Sequence, residues 1–230
     1  MKHVVITGAN RGIGLTFVEH YLADGWRVSA CCRDPSNAPE LCQMMSRFNQ
    51  LQVIDLEVTS ADSIATLNQK LGTDPIDLLI HNAGYYGPKG VRFGDTDVKQ
   101  WRTVLEVNTI APLVLTEALY ENLKRSSGAA LVFISSKVGS MSDNSSGGGY
   151  YYRSSKAALN SIVKSLSIDL RPDGIRCVAL HPGWVKTDMG GPNALIDTDA
   201  SVRGMMAVIK ELTFEQSGRF YDYQGSSIDW

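Results

Sequence analysis

The 230-residue sequence predicts a doubly wound α/β fold: a parallel seven-stranded sheet with helices on both faces, in a single domain spanning 1–230. Three observations carry this expectation. Short apolar runs of strand length alternate with segments of helical period. The first run leads straight into a glycine turn and then a helix. No linker and no repeat of 20–50 residues interrupts the alternation.

Residues 3–9 (HVVITGA) form the first strand, and Gly8, Gly12 and Gly14 follow in TGANRGIG. Leu15, Phe17, Val18, Tyr21 and Leu22 then recur at helical spacing. Glycines let backbone approach a pyrophosphate, and free N–H groups at a helix start attract its charge. Gly8, Arg11, Gly12, Ile13 and Gly14 are therefore cofactor-binding candidates. The spacing G-x-x-x-G-x-G differs from G-x-G-x-x-G and indicates a separate Rossmann subclass. Residues 27–32 (RVSACC) are the second strand, ending at Arg33. An acidic residue near this strand end would hold the ribose 2′-hydroxyl of NAD, and an arginine the 2′-phosphate of NADP. Arg33 and Arg11 favour NADPH; Asp34 precedes Pro35, which turns it away into the loop.

Residues 39–48 read as a helix and 51–58 (LQVIDLEV) as the third strand, with Asp55 and Leu56 toward its end, where an adenine can rest. Ser60 caps a helix through residue 71. Residues 76–80 are the fourth strand, and Asn82, Ala83 and Gly84 at its exit permit close cofactor approach. A loop over 85–94 precedes a long helical pattern over 95–125. Pro112 leaves the Asn108 carbonyl without its intrahelical donor, which predicts a kink and a carbonyl free to bind water. Asn108 itself, if buried, needs partners.

Residues 131–134 are the fifth strand, ending in Ser135 and Ser136. A Gly/Ser-rich loop over 137–149 leads to a helix running to 170, near whose start stand Tyr152 and Lys156. Spacing of i, i+4 puts phenol and ammonium on one helix face. A fixed cation favours the phenolate, so the expected pKa of Tyr152 lies below that of a free phenol, fit for acid or base work near neutral pH. A hydroxyl from Ser136 or Ser135 would add a hydrogen bond to a carbonyl oxygen as it gains charge. Residues 175–180 are the sixth strand, exiting into HPGWVKTDM, where Pro182 and Gly183 fix a turn and Val185 and Thr187 face the cofactor. Residues 190–198 look loose enough to form a lid; a helix over 200–212 and a strand over 218–223 complete the pattern.

Hydrophobic residues are 43% and charged residues 20%, with a net charge of −2. This composition supplies no electrostatic attraction for nucleic acid or an anionic membrane. No apolar run reaches the ~20 residues of a membrane span. Cys31, Cys32, Cys42 and Cys177 show no metal spacing and read as reduced thiols of a cytoplasmic protein. His3, His20, His81 and His181 are scattered and read as structural.

Taken together, TGANRGIG (7–14), Asp55, Asn82-Ala83-Gly84, Asn108, Ser136, Tyr152 with Lys156, and Pro182-Gly183 with Thr187 make the chain resemble the short-chain dehydrogenase/reductase family along essentially its whole length. The longer loop, HPGWVKTDMGG and the closing GRFYDYQGSSIDW are most similar to its carbonyl-reductase-like branch, which includes sniffer and the C-factor signalling proteins. The resemblance implies that Tyr152 is the general acid in reduction and Lys156 lowers its pKa and holds the nicotinamide ribose. It implies that Ser136 orients the carbonyl, Asn108 holds a relay water, and Thr187 meets the carboxamide. It also implies a small-molecule carbonyl substrate and dimers or tetramers. One departure is that Ser136 stands further before Tyr152 than is usual in the family, the extra length falling in 137–149. Tyr85, Tyr86, Met141, Tyr150, Trp184 and Met189 are the substrate-pocket candidates, and they suit an apolar or aromatic carbonyl compound. The expected function is NADPH-dependent carbonyl reduction. Its alternatives are a dinucleotide-binding signalling protein and an NAD-linked alcohol dehydrogenase.

Overall fold

Strands buried on both faces read as continuous apolar runs, because helices cover a parallel sheet on each side. In the computed structural model, which describes residues 1–230, those runs become β1 (His3–Thr7), β2 (Arg27–Cys32), β3 (Leu51–Asp55), β4 (Leu78–His81), β5 (Ala130–Ile134), β6 (Arg176–His181) and β7 (Arg219–Asp222). They form one sheet, order β3-β2-β1-β4-β5-β6-β7, with every pairing parallel. The helices are α1 (Gly12–Ala23), α2 (Pro39–Met45), α3 (Ala61–Leu71), α4 (Val98–Leu105), α5 (Ala111–Ala118), α6 (Tyr120–Lys124), α7 (Tyr150–Asp169) and α8 (Thr198–Lys210).

Alternation along each strand divides the core into two layers. Val4 and Ile6 of β1 face the layer shared with Phe17 of α1, Leu41 of α2 and Met205 of α8. Val5, between them, faces the layer of Leu67 on α3, Leu115 on α5 and Val163 on α7. Connections run outward from β1 to β3 and then return to β4 beside β1. At that reversal the segments leaving β1 and β4 part, which opens a crevice at the carboxyl ends of the strands.

Several boundaries depart from the sequence expectation. The third strand stops at Asp55, not residue 58, because its partner β2 ends at Cys32, which pairs with Asp55. The helix from Pro39 ends at Met45. The long pattern over 95–125 is three helices joined by a π-helical turn, Glu106–Ile110, and a break at Leu119. The Ala111 N–H reaches back to the Glu106 carbonyl, the wider bond of a π-turn, just ahead of Pro112. Residues 190–198 are pinned down. Val185 bridges Ile196, the Leu195 N–H donates to the Trp184 carbonyl at 2.9 Å, and the Gly191 N–H donates to that of Thr187 at 2.8 Å. Backbone pairing to 184–187 replaces the expected loose lid.

Candidate active site

The crevice begins at the glycine turn. Gly8 and Gly12 have φ of 63° and 55°, in the left-handed region that favours glycine. A Cβ on Gly14 would lie 2.2 Å from the Gly8 carbonyl oxygen, so α1 packs on the turn only without a side chain there. Asn82 braces the turn from the neighbouring strand, its Nδ2 donating to the Thr7 and Gly8 carbonyls at 2.9 Å each. Thr7 Oγ1 in turn accepts from the backbone of Asn82 and Ala83 at 3.0 Å each. No side chain caps α1 and no acid stands in its first turn, so its opening N–H groups and positive dipole end remain available to an anion. These residues fit the pyrophosphate of a dinucleotide.

The flanking charges divide. Arg33 is exposed and forms no ion pair, whereas Asp34 turns into the loop, accepting from the Ser36 N–H at 3.1 Å. Arg11 is ion-paired with Asp188 from the turn after β6, a partner the sequence reading did not foresee. Asp55 is exposed, and Leu56 is buried with its N–H on the Cys32 carbonyl at 2.9 Å. On the far side, Gly183 has φ of 84°, and Ser201 donates to the Pro182 carbonyl at 2.6 Å. Val185 is buried, while Thr187 Oγ1 accepts from the Gly190 N–H at 3.1 Å.

Helix α7 starts abruptly because Gly147, Gly148 and Gly149 all have positive φ, near 60°, and three such residues in sequence cannot continue a right-handed helix backward. One turn in, Lys156 is buried, its Nζ donating to the Ile134 carbonyl at the end of β5 (2.8 Å) and lying 5.6 Å from the Tyr152 ring centroid. Burial lowers the ammonium's pKa to about 8. Tyr152 is half-buried between the Tyr86 ring, 4.7 Å away, and Met189, whose Sδ its hydroxyl approaches at 3.9 Å. Here the expectation of a depressed phenol fails. Burial pushes the Tyr152 pKa up, and the Tyr86 phenol adds to the rise. The neighbouring ammonium does not offset that desolvation.

The two serines part company. Ser135 is buried and donates to Asn160 Oδ1 at 2.6 Å. Ser136 is half-buried, its Oγ meeting only the Val138 N–H at a long 3.4 Å. Asn108 is buried within the π-turn, and its side chain makes three hydrogen bonds. Oδ1 accepts from the Tyr85 N–H at 2.8 Å, and Nδ2 donates to the Tyr85 carbonyl (2.8 Å) and Ser155 Oγ (3.0 Å). It thereby fastens the loop after β4 to α7. Gly84 lies between these groups; a Cβ there would meet Asn108 Oδ1 at 3.5 Å and Lys156 Nζ at 3.9 Å.

A recess of about 130 Å³ opens beside Tyr152, lined by Tyr86, Pro88, Val91, Tyr150 and Tyr151 among others. Tyr85, Met141 and Trp184 are not in its lining. Met189 is not in that lining either, although its Sδ lies 3.9 Å from the Tyr152 hydroxyl. Tyr85 is held by its backbone, Met141 is 73% exposed, and the Trp184 indole donates to the Gly190 carbonyl at 2.8 Å. Sequence reasoning passed over Thr7, Ser155, Asn160 and Asp188, polar residues whose partners lie far along the chain. Their one local signal was adjacency to the glycine turn, to Lys156 and to Thr187.

Comparison with known proteins agrees with this geometry. The short chain dehydrogenase family matches residues 2–195. The chain is 46% identical to the C-signal protein of Myxococcus xanthus over 158 residues, 69% of this chain and 95% of that one. The NADPH-bound carbonyl reductase from chicken fatty liver superposes with a TM-score of 0.94 at 40% identity, covering 100% of this chain and 99% of that one. Carbonyl reductase Sniffer of D. melanogaster superposes with a TM-score of 0.95 at 34% identity, covering 100% of both. The chain belongs to the short-chain dehydrogenase family, in its carbonyl-reductase-like branch.

Proposed function

We propose that the protein is an NADPH-dependent reductase of apolar or aromatic aldehydes and ketones. The observation that carries this reading is a partly accessible phenol, Tyr152, on the wall of an aromatic recess, one helical turn from a buried ammonium. The nicotinamide, when bound, supplies the hydride that the carbonyl carbon accepts. Tyr152 gives its phenolic proton to the carbonyl oxygen as that oxygen gains charge. A phenol whose pKa is raised by burial stays protonated at neutral pH, the form that reduction requires. Lys156 sets a positive charge behind Tyr152 and opposes the cost of forming phenolate. Ser136, whose hydroxyl is nearly free where that of Ser135 is engaged, orients the carbonyl oxygen. Asn108 acts through its side chain by fixing the 82–85 loop against α7. Gly8, Gly12, Ile13 and Gly14 carry the pyrophosphate, Arg33 and Arg11 the 2′-phosphate, and Asp55 with Leu56 the adenine. Asn82, Ala83, Gly84, Pro182, Gly183, Val185 and Thr187 line the nicotinamide half.

The test is Tyr152→Phe, assayed with NADPH and a panel of aromatic aldehydes and diketones. Turnover should fall by roughly 100-fold or more, with NADPH affinity unchanged. Undiminished turnover would remove Tyr152 from the chemistry. The 46% identity to a protein named C-signal favours a second reading, a dinucleotide-binding signalling protein. That reading gains if the native chain binds NADPH and reduces no member of the panel.

A further inference from the structure

The two lips of the dinucleotide groove are joined by one ion pair. Arg11, the cap residue of α1, meets Asp188, in the turn after β6, Nη1 to Oδ2, across 177 residues of sequence. The lips run close together next door, where a Cβ built on Gly12 would come within 3.3 Å of Thr187 Cγ2. Neither charged side chain has another hydrogen bond or ion pair, so each is the other's only fixed partner. Arg33, at the end of β2, has none.

A guanidinium suits a carboxylate or a phosphate, and either anion held against it offsets the charge it offers to the other. With side chains 69% and 78% exposed, the pair is of the weak surface kind. A phosphate monoester carries roughly −1.5 to −2 at neutral pH and is the stronger ligand. We propose that Asp188 is a specificity-determining residue: its carboxylate occupies Arg11 until a 2′-phosphate displaces it, and so lowers the preference for NADPH over NADH. The inference rests on Arg11 being a 2′-phosphate contact. Arg33 then reads the phosphate unconditionally, and Arg11 only after exchanging partners.

Calorimetric titration with adenosine 2′,5′-bisphosphate and with 5′-AMP tests this without turnover. Asp188→Asn should raise the bisphosphate-to-AMP affinity ratio about 2- to 5-fold, the range a surface pair of up to ~1 kcal/mol allows. Arg11→Gln should lower that ratio, and in the Arg11→Gln background Asp188→Asn should leave it unchanged. If Arg11→Gln lowers the ratio but Asp188→Asn leaves it unchanged or lowers it, the competition is overturned and Asp188 instead orients Arg11. A gain shared equally by both nucleotides is a general charge effect and overturns it too. If Arg11→Gln leaves the ratio unchanged, the reading of Arg11 itself fails, and the inference with it.

Discussion

Lys156 is a buried ammonium with one hydrogen bond, to the Ile134 carbonyl, and no carboxylate partner. Burial takes its pKa from 10.5 to about 8. Between those values the unfolded chain still holds a proton that the folded chain has shed. Folding therefore becomes more favourable as pH rises across that window, by about 3 kcal/mol when complete. Below pH 8 the folded protein carries this charge at a standing cost. Lys156→Met removes the cost but leaves the Ile134 carbonyl unpaired, an offsetting loss of ~1–3 kcal/mol. At pH 7 the variant should accordingly be close to the native chain in stability. Urea unfolding at several pH values between 7 and 10.5 checks the sign: the native chain should gain on the variant as pH rises. Parallel curves would show that Lys156 is not strained by burial.

The turn between β1 and α1 and the turn after β4 behave as one unit, because Thr7 and Asn82 each bond across to the other. Gly14→Ala tests that unit. Its Cβ would sit 2.2 Å from the Gly8 oxygen and 2.5 Å from Asn82 Nδ2, so α1 must move. We expect about 1–3 kcal/mol of destabilisation and at least a tenfold loss of NADPH affinity, read by thermal unfolding and fluorescence titration. Unaltered affinity would show that the turn can shift without harm. The strands and the glycine turn were legible because apolar runs and TGANRGIG are local signals. The π-turn was only half legible. Pro112 announced a kink, but its form depends on Asn108 meeting Tyr85 and Ser155, 23 and 47 residues away. Likewise Tyr152 and Lys156 could be paired by spacing, yet the direction of the phenol's shift depends on burial beneath Tyr86, from another loop. The pinning of 190–198 and the pairing of Arg11 rest on backbone and side-chain partners that no periodicity encodes.

Across the whole sheet, three histidines are held neutral. Burial lowers His81 to about 3 and His181 to about 4, and burial together with Arg27 lowers His3. Each folded pKa lies below the unfolded value of 6.5, so their contribution is complete above pH 6.5 and is lost as pH falls. Stability should drop between pH 6.5 and 4, with a limiting slope on the order of 1.4 kcal/mol per pH unit for each of His81 and His181, His3 acting in the same direction. The drop should begin before most carboxylates titrate. Denaturant unfolding at pH 7, 6, 5 and 4.5 measures it, and a flat profile down to pH 5 would contradict it. The sheet also has two margins of unequal character. At β7, residues 224–230 fold back: the Asp222 N–H meets the Ser226 carbonyl, the Ile228 N–H meets that of Phe220, and Trp230 stacks on Phe220 while its carbonyl takes two hydrogen bonds from Ser142. The margin is thus stitched shut by residues 224–230, which denies an outside strand its docking template. The remaining margin, β3, is five residues long and exposes Gln52 and Asp55, a short, charged and poor starting point for fibre growth.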